Sequence, residues 1–314
     1  MDAFYTDHYR LPLPEGHRFP SAKYGLLRQA VQSLPNLHLK EARAATDTEL
    51  LLAHDPLYVQ RVIHGTLSAA EQREIGFPWS PAMLERSRRS VGATLAACDA
   101  ALTDGIGLNM AGGTHHAYRD KGSGYCVFND IVIAARVLQR QHARGYQVAV
   151  IDLDVHQGNG TASILKNDSS IYTLSLHGEK NFPFRKEPSD LDVGLPDGCG
   201  DEEYLAALTH ALYIVESTFN FDFIIYLAGA DPHEGDRLGR LSLSFDGLEA
   251  RDRRVFDWAW AKRIPLAFSM AGGYGKQMAD TVQVQVNTYR VAYAYWRRWQ
   301  NLNKDSNQEQ ETYP

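Results

Sequence analysis

Asp152, Asp154 and His156 stand at alternating positions in the stretch Ile151-Asp152-Leu153-Asp154-Val155-His156-Gln157-Gly158-Asn159-Gly160, which begins at the end of the apolar run Val148-Ala149-Val150-Ile151. Carboxylates and an imidazole at the end of a buried strand are costly unless something pairs with them, and a bound cation is the simplest partner. Residues i and i+2 of an extended segment point to one side, so Asp154 and His156 can share one ion. Asp231, at another strand end, offers a third ligand. Three protein ligands with one open position are the arrangement of catalytic zinc. Nitrogen and oxygen donors also suit Fe(II) or Mn(II). The plainer alternative is an Asp–His pair that satisfies itself by hydrogen bonding.

His115 and His116 follow Ala111-Gly112-Gly113-Thr114. Glycines there let the backbone turn sharply and face the imidazoles into a cleft. Hydrolysis by an activated water needs a base, and a leaving amine needs an acid. Asp152 and Asn159 are natural partners to orient the two rings, the carboxylate raising the basicity of its histidine more than the neutral amide does. Tyr274 follows Gly272-Gly273. Its hydroxyl can donate to a carbonyl oxygen on which negative charge develops.

These residues need a scaffold that brings distant strand ends together. The pattern predicts strands over 3–6, 106–110, 148–152, 171–175, 223–227 and 266–270. Helices are expected over 21–34, 47–53, from 56 onward, and over 81–102, 129–142, 160–166, 201–219, 246–261 and 281–299, with Ser21, Asp47, Asp55 and Asp201 as caps. The stretch 177–200 has little periodicity and reads as a long loop. Near-continuous apolar strands alternating with helices indicate one α/β domain over residues 1–300, a parallel sheet with helices on both faces. Ligands of such sheets sit beyond the carboxyl ends of the strands. The polar tail 301–314 is expected to be disordered. Arg251 to Arg254 read as a solvated helix face, and Cys126 as packed rather than nucleophilic.

A chain of 314 residues buries roughly three quarters of its unfolded surface, so a large core is available. The net charge of −6 gives no electrostatic reason for nucleic-acid or membrane binding. Three cysteines without a CxxC pair fit a reducing compartment. The N-terminus shows no signal peptide, and no apolar run approaches the ~20 residues of a membrane span. A cytoplasmic location is expected, with a monomer favoured.

The motifs Gly112-Gly113-Thr114-His115-His116, Gly124-Tyr125-Cys126-Val127-Phe128-Asn129-Asp130, Asp152 to Gly160, Ala228-Gly229-Ala230-Asp231 and Gly272-Gly273-Tyr274 occur in the order seen in histone deacetylases. To about residue 299 the chain resembles the arginase/deacetylase superfamily, and His17-Arg18-Phe19-Pro20 resembles its class IV and related bacterial branch. The resemblance implies a zinc amidohydrolase, with Fe(II) as the other metal, acting on an acyl-lysine peptide or protein or on a small acylated amine. Asp154, His156 and Asp231 match the metal ligands. His116 matches the general base and acid, His115 its electrostatic partner, and Tyr274 the residue that polarises the acyl carbonyl. Asp152 matches the partner of the first histidine and part of a structural potassium site with Asp154, His156, Ser175 and Leu176. Gly124 matches the carbonyl that accepts the substrate amide N–H. Tyr125 and Phe184 match the aromatic walls of the lysine channel, with Phe182 as the alternative to Phe184. Leu238 occupies the position where acetylpolyamine hydrolases often carry an acidic gatekeeper.

The sequence departs from the family pattern in three places. Asn159 replaces the Asp usual with this dyad, Tyr125 replaces Phe, and residues 76–80 lack an Asp to grip a peptide backbone. An acetylpolyamine amidohydrolase, with Glu234 or Asp236 near the gate, is the enzymatic alternative. A two-manganese ureohydrolase lacks the extra carboxylates it needs. A non-catalytic acyl-binding scaffold is the remaining alternative.

Overall fold

The computed structural model describes residues 1–9, 11–142 and 144–311, with side chains to 302. Its strands are β1 (Asp2–Tyr5), β2 (His38–Glu41), β3 (Ile106–Asn109), β4 (Val148–Asp152), β5 (Ile171–Gly178), β6 (Leu191–Leu195), β7 (Phe223–Leu227) and β8 (Leu266–Ser269). The helices are α1 (Ala22–Val31), α2 (Asp47–Leu50), α3 (Pro56–His64), α4 (Ala69–Ile75), α5 (Pro81–Asp104), α6 (Asp130–Gln141), α7 (Asn159–Leu165), α8 (Asp201–Thr218), α9 (Phe245–Lys262) and α10 (Met278–Glu311).

The strands form one sheet in the order β2-β1-β3-β8-β7-β4-β5-β6, parallel throughout. Every residue of β3, β4, β7 and β8 is buried. Alternation along the strands divides two cores. Ala149, Ile151, Ile224 and Tyr226 face one cluster, with Leu208, Val255 and Tyr289 of α8, α9 and α10. Val148, Val150, Phe223 and Ile225 face the other, with Val91 of α5 and Ile133 of α6. The expected α/β architecture with helices on both faces is the one observed.

Register places the chemistry. Asp152 pairs with Leu227, Leu227 with Ser269, and Ser269 with Asn109. The carboxyl ends of β4, β7, β8 and β3 therefore stop at one level, and the loops after them converge.

Several local expectations are corrected. Two strands go unpredicted: β2, which is mostly exposed, and β6, which lies inside the presumed loop 177–200. The helix α4 is also new, closed by a capping box of Ser68 and Glu71. Ser21 makes no side-chain cap. Thr46, not Asp47, caps α2. Gly200 precedes α8, while the Asp201 carboxylate accepts the Ser244 backbone N–H at 2.9 Å and ties α8 to the start of α9. The backbone of α10 continues to Glu311, through most of the tail expected to be disordered, and residues 312–314 lie outside the described residues. Among the described residues no helix is long and apolar enough to cross a membrane.

Candidate active site

The turn after β4 presents Asp154 and His156, and the turn after β7 presents Asp231, all buried. One ligand atom from each lies within 4.8 Å of the others. Backbone N–H groups fix the carboxylates. Val155 N–H donates to Asp231 Oδ1 at 3.0 Å, and Gly272 N–H donates to Asp154 Oδ2 at 2.7 Å. A Cβ at Gly272 would fall 1.8 Å from Asp231 Oδ2, so only glycine lets the two loops close around the site. His156 Nδ1 lies 3.0 Å from Asp154 Oδ1 and 3.4 Å from Asp231 Oδ2.

The electrostatics of this trio fit a cation. Asp231 Oδ2 is buried and has no hydrogen-bond partner. Burial and then the Asp154 charge push the Asp231 carboxyl up to about 6. Burial works against a proton on His156, yet the Asp154 and Asp231 carboxylates draw one there and raise it to about 10. The pocket thus gathers positive charge onto the His156 ring. A divalent metal on a neutral imidazole would satisfy the same field and the orphaned oxygen, and the donor set suits zinc or iron(II).

The tandem histidines after β3 are held unlike one another. His115 Nδ1 lies 2.6 Å from Asp152 Oδ2, and His116 Nδ1 lies 2.7 Å from Asn159 Oδ1. Their ring centroids are 4.1 Å apart. Burial opposes charge on His115, but Asp152 overrides it and raises the pKa to about 9. His116 has no such counter-charge. Burial, then the positive rings of His115 and His156, hold it well below the ordinary imidazole range. Because Asn159 Oδ1 can only accept, His116 carries its proton on Nδ1, and Nε2 is left with a lone pair.

The sequence-predicted channel residues also converge. Gly124, at φ +53°, leaves no room for a Cβ, which would approach His116 Cδ2 to 2.7 Å. Tyr125 holds a left-handed backbone at φ +66°, fixed by its N–H on Ile75 O at 2.6 Å. Its ring is 6.0 Å from that of Tyr274. The opposite wall corrects the assignment of Phe184, which is 89% exposed. Phe182, 36% exposed, packs edge-on against His116 at 4.9 Å and lies 6.5 Å from His156. Only Phe182 reaches the imidazoles. Burial keeps the Tyr274 phenol well above its usual pKa, so it remains a donor. These groups line one cavity of about 1180 Å³, together with Leu238.

Further residues take positions that the sequence reading did not assign to them. Lys23, which the sequence left without a role, is buried, with Nζ 3.4 Å from Ala271 O and 3.2 Å from Gly273 O. It braces the turn that carries Tyr274. Asp236 is spent on backbone: it accepts from Leu238 N, Gly239 N and Tyr274 N. Tyr118 accepts from Asn159 Nδ2 at 2.9 Å. Asp130 accepts from Gly113 N and Thr114 N and shapes the turn before His115. Arg251 is a correction. It is fully buried, donates to Gly229 O at 2.5 Å and pairs with Asp252 at 2.8 Å, beneath the loop that presents Asp231. A buried guanidinium among helix arginines has no sequence signal of its own. Cys126 is buried as expected, and burial pushes its thiol up, away from nucleophilic use.

This constellation can be compared with known proteins. The histone deacetylase domain matches residues 17–289. The chain belongs to the histone deacetylase family. It is 40% identical over 291 residues to an uncharacterised protein of Picosynechococcus, covering 92% of this chain and 97% of that one. It is 32% identical over 279 residues to histone deacetylase 2 of Arabidopsis thaliana, covering 85% and 72%. The crystal structure of a histone deacetylase homologue from Aquifex aeolicus superposes with a TM-score of 0.78 at 22% identity, covering 93% and 83%. That likeness establishes the shared fold of this family, to which the level strand ends belong.

Proposed function

We propose that this deacetylase-family chain is a metal-dependent amidohydrolase that removes an acyl group, acetyl in the simplest case, from an N-acyl-lysine-type amide. Water adds across the amide to give a carboxylate and a free amine. The observation that carries the reading is the unlike anchoring of the tandem histidines beside a three-ligand cluster. Asp152 holds one ring charged, while the other, on the neutral amide of Asn159, is kept neutral by burial and the neighbouring positive rings.

Asp154, His156 and Asp231 would hold zinc or iron(II), which when bound would supply Lewis acidity to a carbonyl and to water. The protein's own groups do the rest. His116 Nε2 accepts a proton from the attacking water and returns one to the leaving nitrogen. His115, kept protonated, offers positive charge beside it. The neutral Tyr274 hydroxyl donates to the carbonyl oxygen as it becomes negative. The Gly124 carbonyl orients the amide N–H. Tyr125 and Phe182 flank the methylene stem, whose burial is worth about 0.8 kcal/mol per methylene. A structural potassium ion near Asp152, Asp154, His156, Ser175 and Leu176 belongs to the same proposal. Its support is that Asp152 and Ser175 are register partners on β4 and β5.

The alternatives lose ground on specific observations. The gate position is Leu238, and the nearby Asp236 carboxylate is buried on backbone N–H groups rather than offered to a polyamine. A ureohydrolase needs carboxylates for a second metal. Among the described residues the clustered His, Asp and Glu side chains are Asp154, His156 and Asp231. A scaffold has no use for a neutral base beside a charged one.

Acetate release from an acetyl-lysine peptide tests the reading. The zinc-loaded protein should turn the peptide over, a chelator should stop it and zinc should restore it. Tyr274→Phe should keep its zinc and lose ~10²–10³ in kcat. Release that ignores the chelator, or a Tyr274→Phe rate equal to wild type, overturns it.

A further inference from the structure

The chain carries a net charge of −6, yet the mouth of its cavity is cationic. Arg73, Lys121, Lys180, Arg185, Arg237 and Arg240 line the opening, against the carboxylates of Glu74 and Glu187. Lys121 is neutralised by Glu74 at 2.7 Å. Arg240 and Lys180 share Asp197 at 3.0 and 3.8 Å. Glu187 meets only the Tyr118 hydroxyl, at 3.5 Å, through its side chain. That leaves Arg73, Arg185 and Arg237, all exposed, with no carboxylate partner among the described residues.

Arg237 is the most ordered of the three. Its Nε donates to Tyr274 O at 3.0 Å, and its backbone N–H donates to the same oxygen at 3.2 Å. The guanidinium is therefore anchored by one nitrogen to the residue that faces the acyl carbonyl. Its two terminal nitrogens remain free beside the opening. A planar fork fixed in this way suits a carboxylate, which it can bind with two parallel hydrogen bonds. Like charges around a cleft also focus its field, raising the local concentration of anions and repelling cations. A polyamine ammonium or a lysine-rich peptide would meet that field unfavourably.

We propose that Arg237, supported by Arg73 and Arg185, selects acylated amines that carry a carboxylate on the amine side. This rests on the hydrolytic reading above. The carboxylate has two sources: the α-carboxylate of a free Nε-acyl-lysine, or an Asp or Glu flanking an acyl-lysine in a peptide.

The test measures kcat/KM of the zinc-loaded full chain on four substrates: Nα-benzoyl-Nε-acetyl-lysine, in which the α-amine is blocked so that only the α-carboxylate is charged, an acetyl-lysine peptide with Asp and Glu flanks, the same peptide with Lys and Arg flanks, and N-acetylputrescine. An anionic substrate should exceed both cationic ones by ~10-fold or more at low ionic strength, and the gap should narrow as salt is added. The faster anionic substrate identifies where the carboxylate sits. Arg237→Glu should reverse the preference, and Arg237→Lys should keep part of it. Because Arg237 also touches Tyr274, Arg73→Glu with Arg185→Glu is the second variant. It should shrink the anionic-to-cationic ratio without the contact to Tyr274 being altered. Equal kcat/KM across the four substrates, or a preference untouched by both variants, overturns the proposal and leaves the hydrolytic reading standing. Absence of turnover on every substrate overturns the hydrolytic reading itself.

Discussion

At the floor of the cavity Asp152 holds His115, Asn159 holds His116 and Gly272 holds Asp154, whereas at the mouth the exposed Arg73 and Arg185 pair with no carboxylate among the described residues. The floor hangs from four strands whose ends are levelled by register. The mouth is made of the end of α4 and the segments around 180–187 and 237–240. Chemistry that depends on fractions of an ångström is therefore bolted to the sheet. The groups proposed to choose a substrate sit where side chains can change without disturbing that geometry.

The comparison breaks most directly if a mouth residue matters as much as a floor residue. On the proposed mechanism His116→Ala removes the base and should lower kcat by ~10³-fold while the chain stays folded and binds zinc as wild type does. Arg185→Ala removes one exposed charge and should change kcat/KM on any substrate by less than ~10-fold. Steady-state kinetics of the two variants side by side check both. Comparable losses would show that the mouth takes part in the chemistry.

The floor was the legible part of the sequence, and the reason is physical. A polar cluster that follows an apolar strand and is bracketed by glycines can be read from one-dimensional spacing. Asp154, His156, Asp231, His115, His116 and Tyr274 all have that setting. What was missed depends on partners distant in the chain. The strand β2 is an edge segment exposed at most positions, and β6 forms only because β5 pairs with it. Arg251 looks like its exposed neighbour Arg253 until α9 is docked on the sheet. Asp201 has the sequence of a cap, but its carboxylate is taken by Ser244. Phe182 and Phe184 differ by two residues in a segment without periodicity, so nothing local says which ring faces inward.

A smaller effect tests how the floor is braced from beneath. His54 is buried, with Nδ1 2.9 Å from Tyr118 O and Nε2 accepting the Asn129 backbone N–H at 2.8 Å. That pairing requires the neutral ring, since a proton on Nε2 would face another N–H. Burial lowers its pKa from 6.5 to about 4, outweighing the carbonyl bond from Tyr118. The folded pKa lies below the unfolded one, so the unfolded chain takes up the proton first as pH falls. The stabilisation is full above about pH 6.5 and is lost toward about pH 4. A shift of that size corresponds to about 3 kcal/mol. Denaturant midpoints of wild type and His54→Asn, measured across that range, should converge as pH falls. A constant gap would mean that the tie to Asn129 does not depend on a neutral imidazole.

Phe182 belongs to both regions, which makes it the finest test of where the floor ends. Its edge lies on His116 at 4.9 Å, yet it remains 36% exposed at the cavity wall. If it flanks the acyl-lysine stem opposite Tyr125, Phe182→Ala uncovers about two methylenes and should weaken binding by about 1.5 kcal/mol. That is ~10-fold in KM, with kcat little changed because the imidazoles keep Asp152 and Asn159. Phe184→Ala, at a ring that is 89% exposed, should leave KM where it was. A kcat loss in Phe182→Ala would instead place the ring among the groups that hold His116 in position, extending the floor outward by one residue. Equal KM values for the two variants would mean that the channel has one aromatic wall, Tyr125, and that the opposite side is open to solvent.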